Sequence, residues 1–314
     1  MYTLSIIIPV FNEKDNITEL ARRIAQALPE TQFSYEVIWV DDGSTDGSRD
    51  ILQQIQQNFK HHKLICFARN YGQTTALTAA IKIATGEIIV PLDADLQNDP
   101  KDIPEMLNTY RQGYDVVSGW RKNREDKWIS KLFSKVANRI ISRITHLPLQ
   151  DFGCSLKLYN AEKLKRICLH GELHRFIPAL MSRYGIKIIE VPVTHHARQH
   201  GKSKYNLTRT FRVLLDLGTV LLHTQFLDKP LYLFGYLSFS ALLLAFIFTL
   251  VAILLTPHHM FAAAVLFLLA TASGVIFAMW LGFGFLAELW VMLRVTVSPQ
   301  AVYYVENQTE SKAE

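Results

Sequence analysis

The sequence predicts an α/β domain on a mainly parallel sheet, followed by interfacial amphipathic helices and a C-terminal two-helix transmembrane hairpin. Three observations lead there. In the first half, short apolar runs alternate with segments whose apolar residues recur at helical spacing. Each run ends in a polar loop carrying carboxylates, Asn or Gly. The last third holds two apolar stretches, each longer than the ~20 residues needed to cross a hydrocarbon core.

Taken in order, Leu4 to Val10 is a first strand, with no basic leader before it, and it ends at Phe11-Asn12-Glu13. A helix follows from about Asp15, with Ile17, Leu20, Ile24 and Leu28 on one face. Glu36 to Val40 is the second strand and runs into the glycine-bearing turn from Asp41 to Ser48, then a helix through Ile51, Leu52 and Ile55. Leu64 to Phe67 is the third, ending in Ala68-Arg69-Asn70-Tyr71-Gly72-Gln73, with a helix from about Thr74 to Ala84. Glu87 to Val90 leads to Asp93-Ala94-Asp95, and Asp115 to Gly119 is a further strand closing at Trp120-Arg121. Parallel sheets of this kind bind ligands beyond the carboxyl ends of their strands, the edge where all these loops fall.

Composition bounds the function. The 314 residues are 49% hydrophobic, enough for a full-sized core, and the formal net charge of +5 suits a phosphorylated substrate, an anionic membrane surface or nucleic acid. Cys66, Cys154 and Cys168 form no C-x-x-C, so reduced, buried thiols are expected rather than a disulfide or zinc framework. His195, His196 and His200 match no metal-ligand spacing and read as structural or surface residues.

The strongest chemical signal is Asp93 and Asp95 at the end of a buried run. Two carboxylates there are costly without a counter-charge, and a hard divalent cation, Mg2+ or Mn2+, carrying a substrate's phosphates is the usual compensation. The first strand is followed by no G-x-G-x-x-G, and no P-loop is present, so a dinucleotide dehydrogenase and a P-loop NTPase are disfavoured. A phosphatase of the D-x-D-x-[TV] type would carry its pair after the first strand.

Ile8-Pro9-Val10-Phe11-Asn12-Glu13, the segment Val40 to Ser48, and Asp93-Ala94-Asp95 together resemble the inverting family 2 glycosyltransferases of GT-A fold. Asp151-Phe152-Gly153-Cys154 and Arg198-x-x-Gly201-x-Ser203-Lys204-Tyr205 resemble, more narrowly, the polyprenyl-phosphate glycosyltransferases. The resemblance implies that Pro9, Phe11, Glu13, Asp41, Asp42, Arg69, Asp93, Ala94 and Gln97 serve the nucleotide sugar, that Asp93 and Asp95 hold the metal, and that Asp95 and Asp151 are catalytic. It places the acceptor phosphate at Arg121, Lys131, Ser134, Arg198 and Lys204. UDP-glucose and undecaprenyl phosphate are the donor and acceptor it ranks first; GDP-mannose or another UDP-sugar, and a non-catalytic membrane scaffold, are the alternatives. Nucleic acid is not an expected partner, and self-association is.

The membrane part is read from pattern. Between Lys127 and Thr145 an apolar stripe containing Trp128, Leu132, Val136 and Ile141 borders Lys131, Lys135, Arg139 and Arg143, and Asn206 to His223 repeats the pattern. Leu231 to Leu255 and Phe261 to Leu293 are the two spans; Lys229 and Arg294 at their outer ends predict cytoplasmic termini in an inner-membrane protein. Glu288 lies in the second span, where a place near the interface or a subunit partner is expected. The divisions are a catalytic domain over 1–205, a juxtamembrane helix over 206–228, the spans over 229–296 and a tail over 297–314.

Overall fold

The computed structural model describes residues 3–122, 138–139, 141–143, 145, 147–196 and 218–297. Alternation of helix and strand begins as the periodicity requires. Strands β1 (Leu4–Val10), β2 (Tyr35–Asp41), β3 (His62–Cys66) and β4 (Ile88–Pro91) are separated by α1 (Lys14–Ala27), α2 (Ser48–Asn58) and α3 (Gln73–Ile83). Then come α4 (Ile103–Tyr110), β5 (Val116–Trp120), β6 (Lys157–Asn160), α5 (Ala161–Lys165), α6 (Ile177–Met181) and β7 (Ile188–Pro192). The seven strands form one sheet in the order β3-β2-β1-β4-β6-β5-β7. β1 is parallel to β2 and β4, β2 to β3, and β5 to β7, whereas β6 is antiparallel to both β4 and β5.

The chain works outward from β1 to β3 and then returns to lay β4 against the other side of β1. That reversal opens a crevice beyond the carboxyl ends of β1 and β4, the position where such sheets take ligands. Side-chain alternation sorts the core onto two faces. Ile6, Ile8, Val10, Val37 and Trp39 pack with Ile17, Leu20 and Ile24 of α1 and Leu52 of α2. Ile7, Ile38 and Val40 pack with Ala76, Leu77, Ala80 and Ile81 of α3.

A buried charge fixes where β4 begins. Glu36, fully buried on β2, accepts from Ser5 Oγ at 2.6 Å, from Thr85 N–H at 2.6 Å and from Thr85 Oγ1 at 2.8 Å, and pairs with Lys63 Nζ at 2.6 Å. Ser5 Oγ in turn accepts the Gly86 N–H at 2.8 Å. These bonds seat the 85–86 turn against β1 and β2, consistent with the register that sets Leu4 beside Ile88.

Several expectations are corrected. β6 and β7 were not predicted: β6 has four residues and carries Lys157 and Asn160, and β7 is a half-exposed edge strand. Cys66 and Cys168 are exposed, so Cys154 alone of the three is buried, because Cys66 ends an edge strand and Cys168 follows a short helix. Most of the stripe between Lys127 and Thr145 lies outside the described residues. Within it Ile141 packs with Leu147, Leu149, Phe152, Phe176 and Val220 in a third core cluster, and Arg139 and Arg143 are exposed. The segment from Asn206 to Leu217 is likewise outside.

The chain divides into two compact units, Met1–Val220 and Leu221–Glu314. In the second, a single π turn at Leu222–Phe226 precedes α7 (Pro230–Leu255) and α8 (Met260–Val297). Both helices are long and apolar enough to cross a membrane. They pack through small residues, Ser238, Ala241, Ala252, Ala263, Ala270 and Ser273 being buried. A Cβ on Gly284 would come 2.9 Å from Phe234 Cβ, so only glycine permits that approach. Glu288 finds its partner within the hairpin, accepting the Leu231 N–H at 3.4 Å in the first turn of α7.

His62 makes the fold pH-sensitive. Trp39 Nε1 donates to its Nδ1 at 3.1 Å, which requires a neutral ring, and burial, reinforced by the neighbouring His61, lowers its pKa to about 4 from an ordinary 6.5. The unfolded chain therefore binds the extra proton first, and stability falls as pH drops from 6.5 toward 4. The loss is about 3 kcal/mol over that window. Denaturant unfolding of detergent-solubilised protein across it should show the slope in the wild type, and His62→Gln should flatten it.

Candidate active site

Backbone in unusual conformations collects at the carboxyl edge of the sheet. Near the end of β1, half-buried Pro9 leads through Val10 to exposed Phe11 and to Asn12, which sits at φ 57°. Asn12 Oδ1 accepts the Thr45 N–H at 2.9 Å, and Asn12 N–H donates to Ser44 Oγ at 3.0 Å. Glu13 N–H donates to Ser48 Oγ and Lys14 N–H to Asp46 Oδ2, each at 3.1 Å. The turns after β1 and β2 are thus laced together. Glu13's half-buried carboxylate accepts from Asn16 Nδ2 at 2.6 Å.

Asp41 and Asp42 are buried at the end of β2 and both hold loops in place. Asp41 Oδ1 accepts the Ser44 N–H at 3.0 Å and Oδ2 accepts from Arg49 Nε at 2.6 Å; Arg49 Nη2 continues to the Phe67 carbonyl at 2.6 Å. Asp42 accepts the N–H groups of Tyr71 and Gly72 at 2.7 and 2.9 Å. The loop from β3 to α3 is drawn so close that a Cβ on Gly43, itself at φ +72°, would lie 2.4 Å from the Arg69 carbonyl carbon. Arg69 is exposed, its guanidinium 4.8 Å from the centre of the Tyr71 ring.

Beyond β4, Leu96 is buried at φ 61°, a strained conformation for a bulky residue. It turns the chain so that Asp95, 8% exposed, accepts the Gln97 N–H at 3.2 Å. Ala94 is buried, and half-buried Gln97 accepts the His196 N–H on its carbonyl at 2.8 Å. His196 also lies 3.1 Å from Asp99 Oδ2, the structural role expected of it. Asp93 Oδ1 accepts from Gln73 Nε2 at 2.8 Å, and the Ser155 hydroxyl also bonds its carboxyl. Burial, then the like charge of Asp95, pushes the Asp93 carboxyl above its ordinary range, and Ser155, Lys157 and Arg121 only partly oppose this.

Two carboxylates one residue apart beyond a buried strand are a donor set for a hard cation. Among the described residues no group of three or more His, Cys, Asp and Glu side chains gathers to cage a metal. A two-carboxylate site completed by the ligand's phosphates and water is the arrangement Mg2+ and Mn2+ commonly accept, so Asp93 and Asp95 fit such an ion.

Asp151 is the third acid of the cluster. Arg121 grips it through Nε at 2.7 Å and Nη2 at 2.9 Å, and the Gly153 N–H adds a bond at 3.1 Å. Burial alone would raise its pKa, yet the Arg121 fork reverses this and holds the carboxyl below its usual range. Such a carboxylate is a poor proton acceptor. Glu190 on β7 fixes the approach, taking the N–H groups of Gln150 and Asp151 at 2.8 and 2.9 Å. Lys157, buried on β6, donates to the carbonyls of Phe152 and Cys154 and acts electrostatically on both Asp93 and Asp151.

The structure thus gathers Asp93, Asp95, Asp151 and Arg121, with Glu13, Asp41, Asp42 and Arg69 on the neighbouring loops. Lys131, Ser134, Arg198 and Lys204 lie outside the described residues. Sequence reasoning missed Arg49, Gln73, Ser155, Lys157 and Glu190. A lysine between Leu156 and Leu158 was the one visible signal; the others read as ordinary polar residues.

The sequence pattern described as glycosyl transferase family 2 matches residues 5–168. A dodecaprenyl-phosphate galacturonate synthase of Rhizobium johnstonii is 43% identical over 75% of this chain and 71% of its own. An undecaprenyl-phosphate 4-deoxy-4-formamido-L-arabinose transferase of Edwardsiella ictaluri is 36% identical over 97% of this chain and 93% of its own. Among solved structures, glucosyl-3-phosphoglycerate synthase from Mycobacterium tuberculosis, in complex with Mn2+, UDP and glucosyl-3-phosphoglycerate, superposes with a TM-score of 0.54 at 16% identity over 70% of this chain and 79% of its own. S. aureus TarS 1-349 in complex with UDP-GlcNAc gives 0.51 at 19% identity over 71% and 67%. These structures share the GT-A fold with the first unit.

The ion pair yields a stability prediction. Arg121→Met leaves Asp151 buried without its counter-charge and should cost about 3 kcal/mol near pH 7. Because the pair depresses the Asp151 pKa, the deficit should shrink as pH falls through the carboxylate range. Arg121→Met combined with Asp151→Leu should recover most of it in denaturant unfolding.

Proposed function

The chain belongs to glycosyltransferase family 2, and on that premise we propose that it transfers a sugar from a nucleotide sugar to the phosphate of a membrane polyprenol. The carrying observation is the near-full-length likeness to a curated transferase acting on undecaprenyl phosphate, which runs through the hairpin as well as the α/β unit. The cluster of Asp93, Asp95 and Asp151 beyond a switched parallel sheet supports the same reading.

In this reading Pro9, Phe11, Glu13, Asp41, Asp42, Arg69, Ala94 and Gln97 surround the nucleotide sugar, with Asp41 and Asp42 acting chiefly by holding the loops that line it. Asp93 and Asp95 would hold a divalent cation, which when bound would supply Lewis-acid stabilisation of the departing diphosphate. The lipid's phosphate oxygen attacks the anomeric carbon from the face opposite the nucleoside diphosphate. A new carbon–oxygen bond forms, the bond to the diphosphate oxygen breaks with its electron pair leaving on the diphosphate, and configuration inverts. A phosphomonoester is largely ionised at neutral pH, since its second pKa is about 6, and needs no base. Asp151, locked by Arg121, orients the sugar rather than abstracting a proton. Arg121, Lys131, Ser134, Arg198 and Lys204 are the acceptor-side residues.

UDP-glucose is the donor ranked first by the motif resemblance. The relatives' names favour a second reading, in which the sugar is galacturonate or 4-deoxy-4-formamido-L-arabinose. The two apolar helices anchor the protein in the inner membrane with both termini cytoplasmic, and copies self-associate there.

Detergent-purified protein with Mg2+ or Mn2+, undecaprenyl phosphate and labelled UDP-glucose, UDP-galacturonate, the UDP-linked formamido-arabinose or GDP-mannose should yield label in the organic phase with one donor and only with metal. No lipid product from any of them, with nucleotide binding intact, defeats the polyprenyl-phosphate assignment. In the same assay Asp95→Asn should lower turnover by about 10²–10³-fold, far more than Asp151→Asn. Equal losses at unchanged substrate affinity would make Asp151 a true base.

A further inference from the structure

The side-chain donor that Asp93 accepts from is a neutral amide. Gln73 Nε2 donates to Asp93 Oδ1 at 2.8 Å. The Ser155 hydroxyl, itself accepting from Asn98 Nδ2 at 2.6 Å, also favours the charged form of Asp93. Arg121 and Lys157, the nearby cations, are spent elsewhere: Arg121 forks onto Asp151, and Lys157 donates to the carbonyls of Phe152 and Cys154. An amide donor orients a carboxylate without neutralising it, whereas a bonded cation would compete with a metal for its charge.

Gln73 is itself fixed. It is the first residue of α3, directly after Gly72, which adopts φ 93°. The Tyr71 and Gly72 N–H groups are held by the two carboxylate oxygens of Asp42 at 2.7 and 2.9 Å. One residue further on, Thr74 Oγ1 lies 2.7 Å from His174 Nδ1, pinning the same turn from the opposite side. A continuous set of bonds therefore runs from Asp42 at the end of β2, through two backbone amides and the Gln73 side chain, to Asp93 after β4.

We propose that Gln73 is a positioning residue that aims the Asp93 carboxylate at the divalent cation and ties the cation site to the Asp42-held loop. The inference deepens the proposed function and rests on its assignment of Asp93 and Asp95 as metal ligands. In this role Gln73 acts on the orientation of the metal ligand, through the bond it donates to Asp93 Oδ1.

The test is Mn2+ binding followed by electron paramagnetic resonance on detergent-solubilised full-length protein, using Mn2+ alone and then Mn2+ with UDP. Gln73→Met keeps the size of the side chain without the donor. It should weaken Mn2+ binding about 10-fold, the loss typical of removing a partner behind a metal ligand, while leaving the melting temperature within a degree or two of wild type. Turnover lost in Gln73→Met should return at saturating Mn2+, and Gln73→Glu, which cannot donate when ionised, should not substitute for glutamine. Unchanged Mn2+ affinity in Gln73→Met, or lost turnover that high Mn2+ does not restore, overturns the proposal while leaving sugar transfer intact. Wild-type protein that makes lipid-linked sugar yet binds no Mn2+ overturns it together with the cation assignment.

Discussion

Two carboxylates, Asp93 and Asp95, leave the end of a strand buried on both faces, and the organisation of the sheet's carboxyl edge answers to that charge. Like charges in a poorly solvated site disfavour ionisation, as the raised Asp93 pKa records. The domain could have quenched them with its own cations, since Arg121 and Lys157 are near enough to act on Asp93 electrostatically. Instead those cations bind Asp151 and the carbonyls beside it. Asp93 and Asp95 thus stand in a crevice that the reversal of strand order has opened, and a divalent cation there would relieve the strain that the raised Asp93 pKa expresses.

The acids on the other loops answer a different need. Asp41 and Asp42 look in sequence like ligand contacts, and in three dimensions each oxygen already receives a donor. Irregular loops at a buried edge leave backbone N–H groups to satisfy, and a carboxylate can accept several. Their effect on ligand affinity is then largely through shape: removing one would release the turn before α2 or the loop before α3 as well as deleting a charge. Tight approach reinforces this, for Gly43 admits no side chain against the Arg69 backbone. Arg49 belongs to the same system, joining Asp41 to the Phe67 carbonyl from an ordinary-looking position in α2.

How much of this was legible follows from the range of each signal. Strands β1 to β4 and helices α1 to α3 are written in local periodicity, and the structure places their ends within a few residues of the predicted ones. Asp93 and Asp95 were legible because acids after an apolar run break a pattern, and Asp151 through the resemblance of Asp151-Phe152-Gly153-Cys154 to a family motif. Gln73, Ser155 and Glu190 break none. Their roles arise from contacts between residues 20 to 62 positions apart, such as Gln73 with Asp93, and nothing local announces them. β6 was invisible for a related reason: four residues with a buried lysine gain their strand conformation from β4 and β5 on either side, not from their own propensity.

The hairpin shows the same economy in an apolar setting. An acidic residue within a long apolar helix is costly unless something local stabilises its charge, and Glu288 lies where the Leu231 N–H of α7 points toward it. The first turn of a helix carries unpaired N–H groups and the positive end of the helix dipole, so a carboxylate there is favourable on both counts. Pro230, opening α7, removes one of those N–H groups outright. Four residues before Glu288, on the same face of α8, Gly284 permits Leu231 and Phe234 to close in, with Phe234 stacked 5.7 Å from Trp280. Close packing and the half-buried acid are therefore coupled: the glycine brings α7 near enough for its first turn to meet Glu288, and a larger residue at 284 would separate the two while leaving both helices as apolar as before.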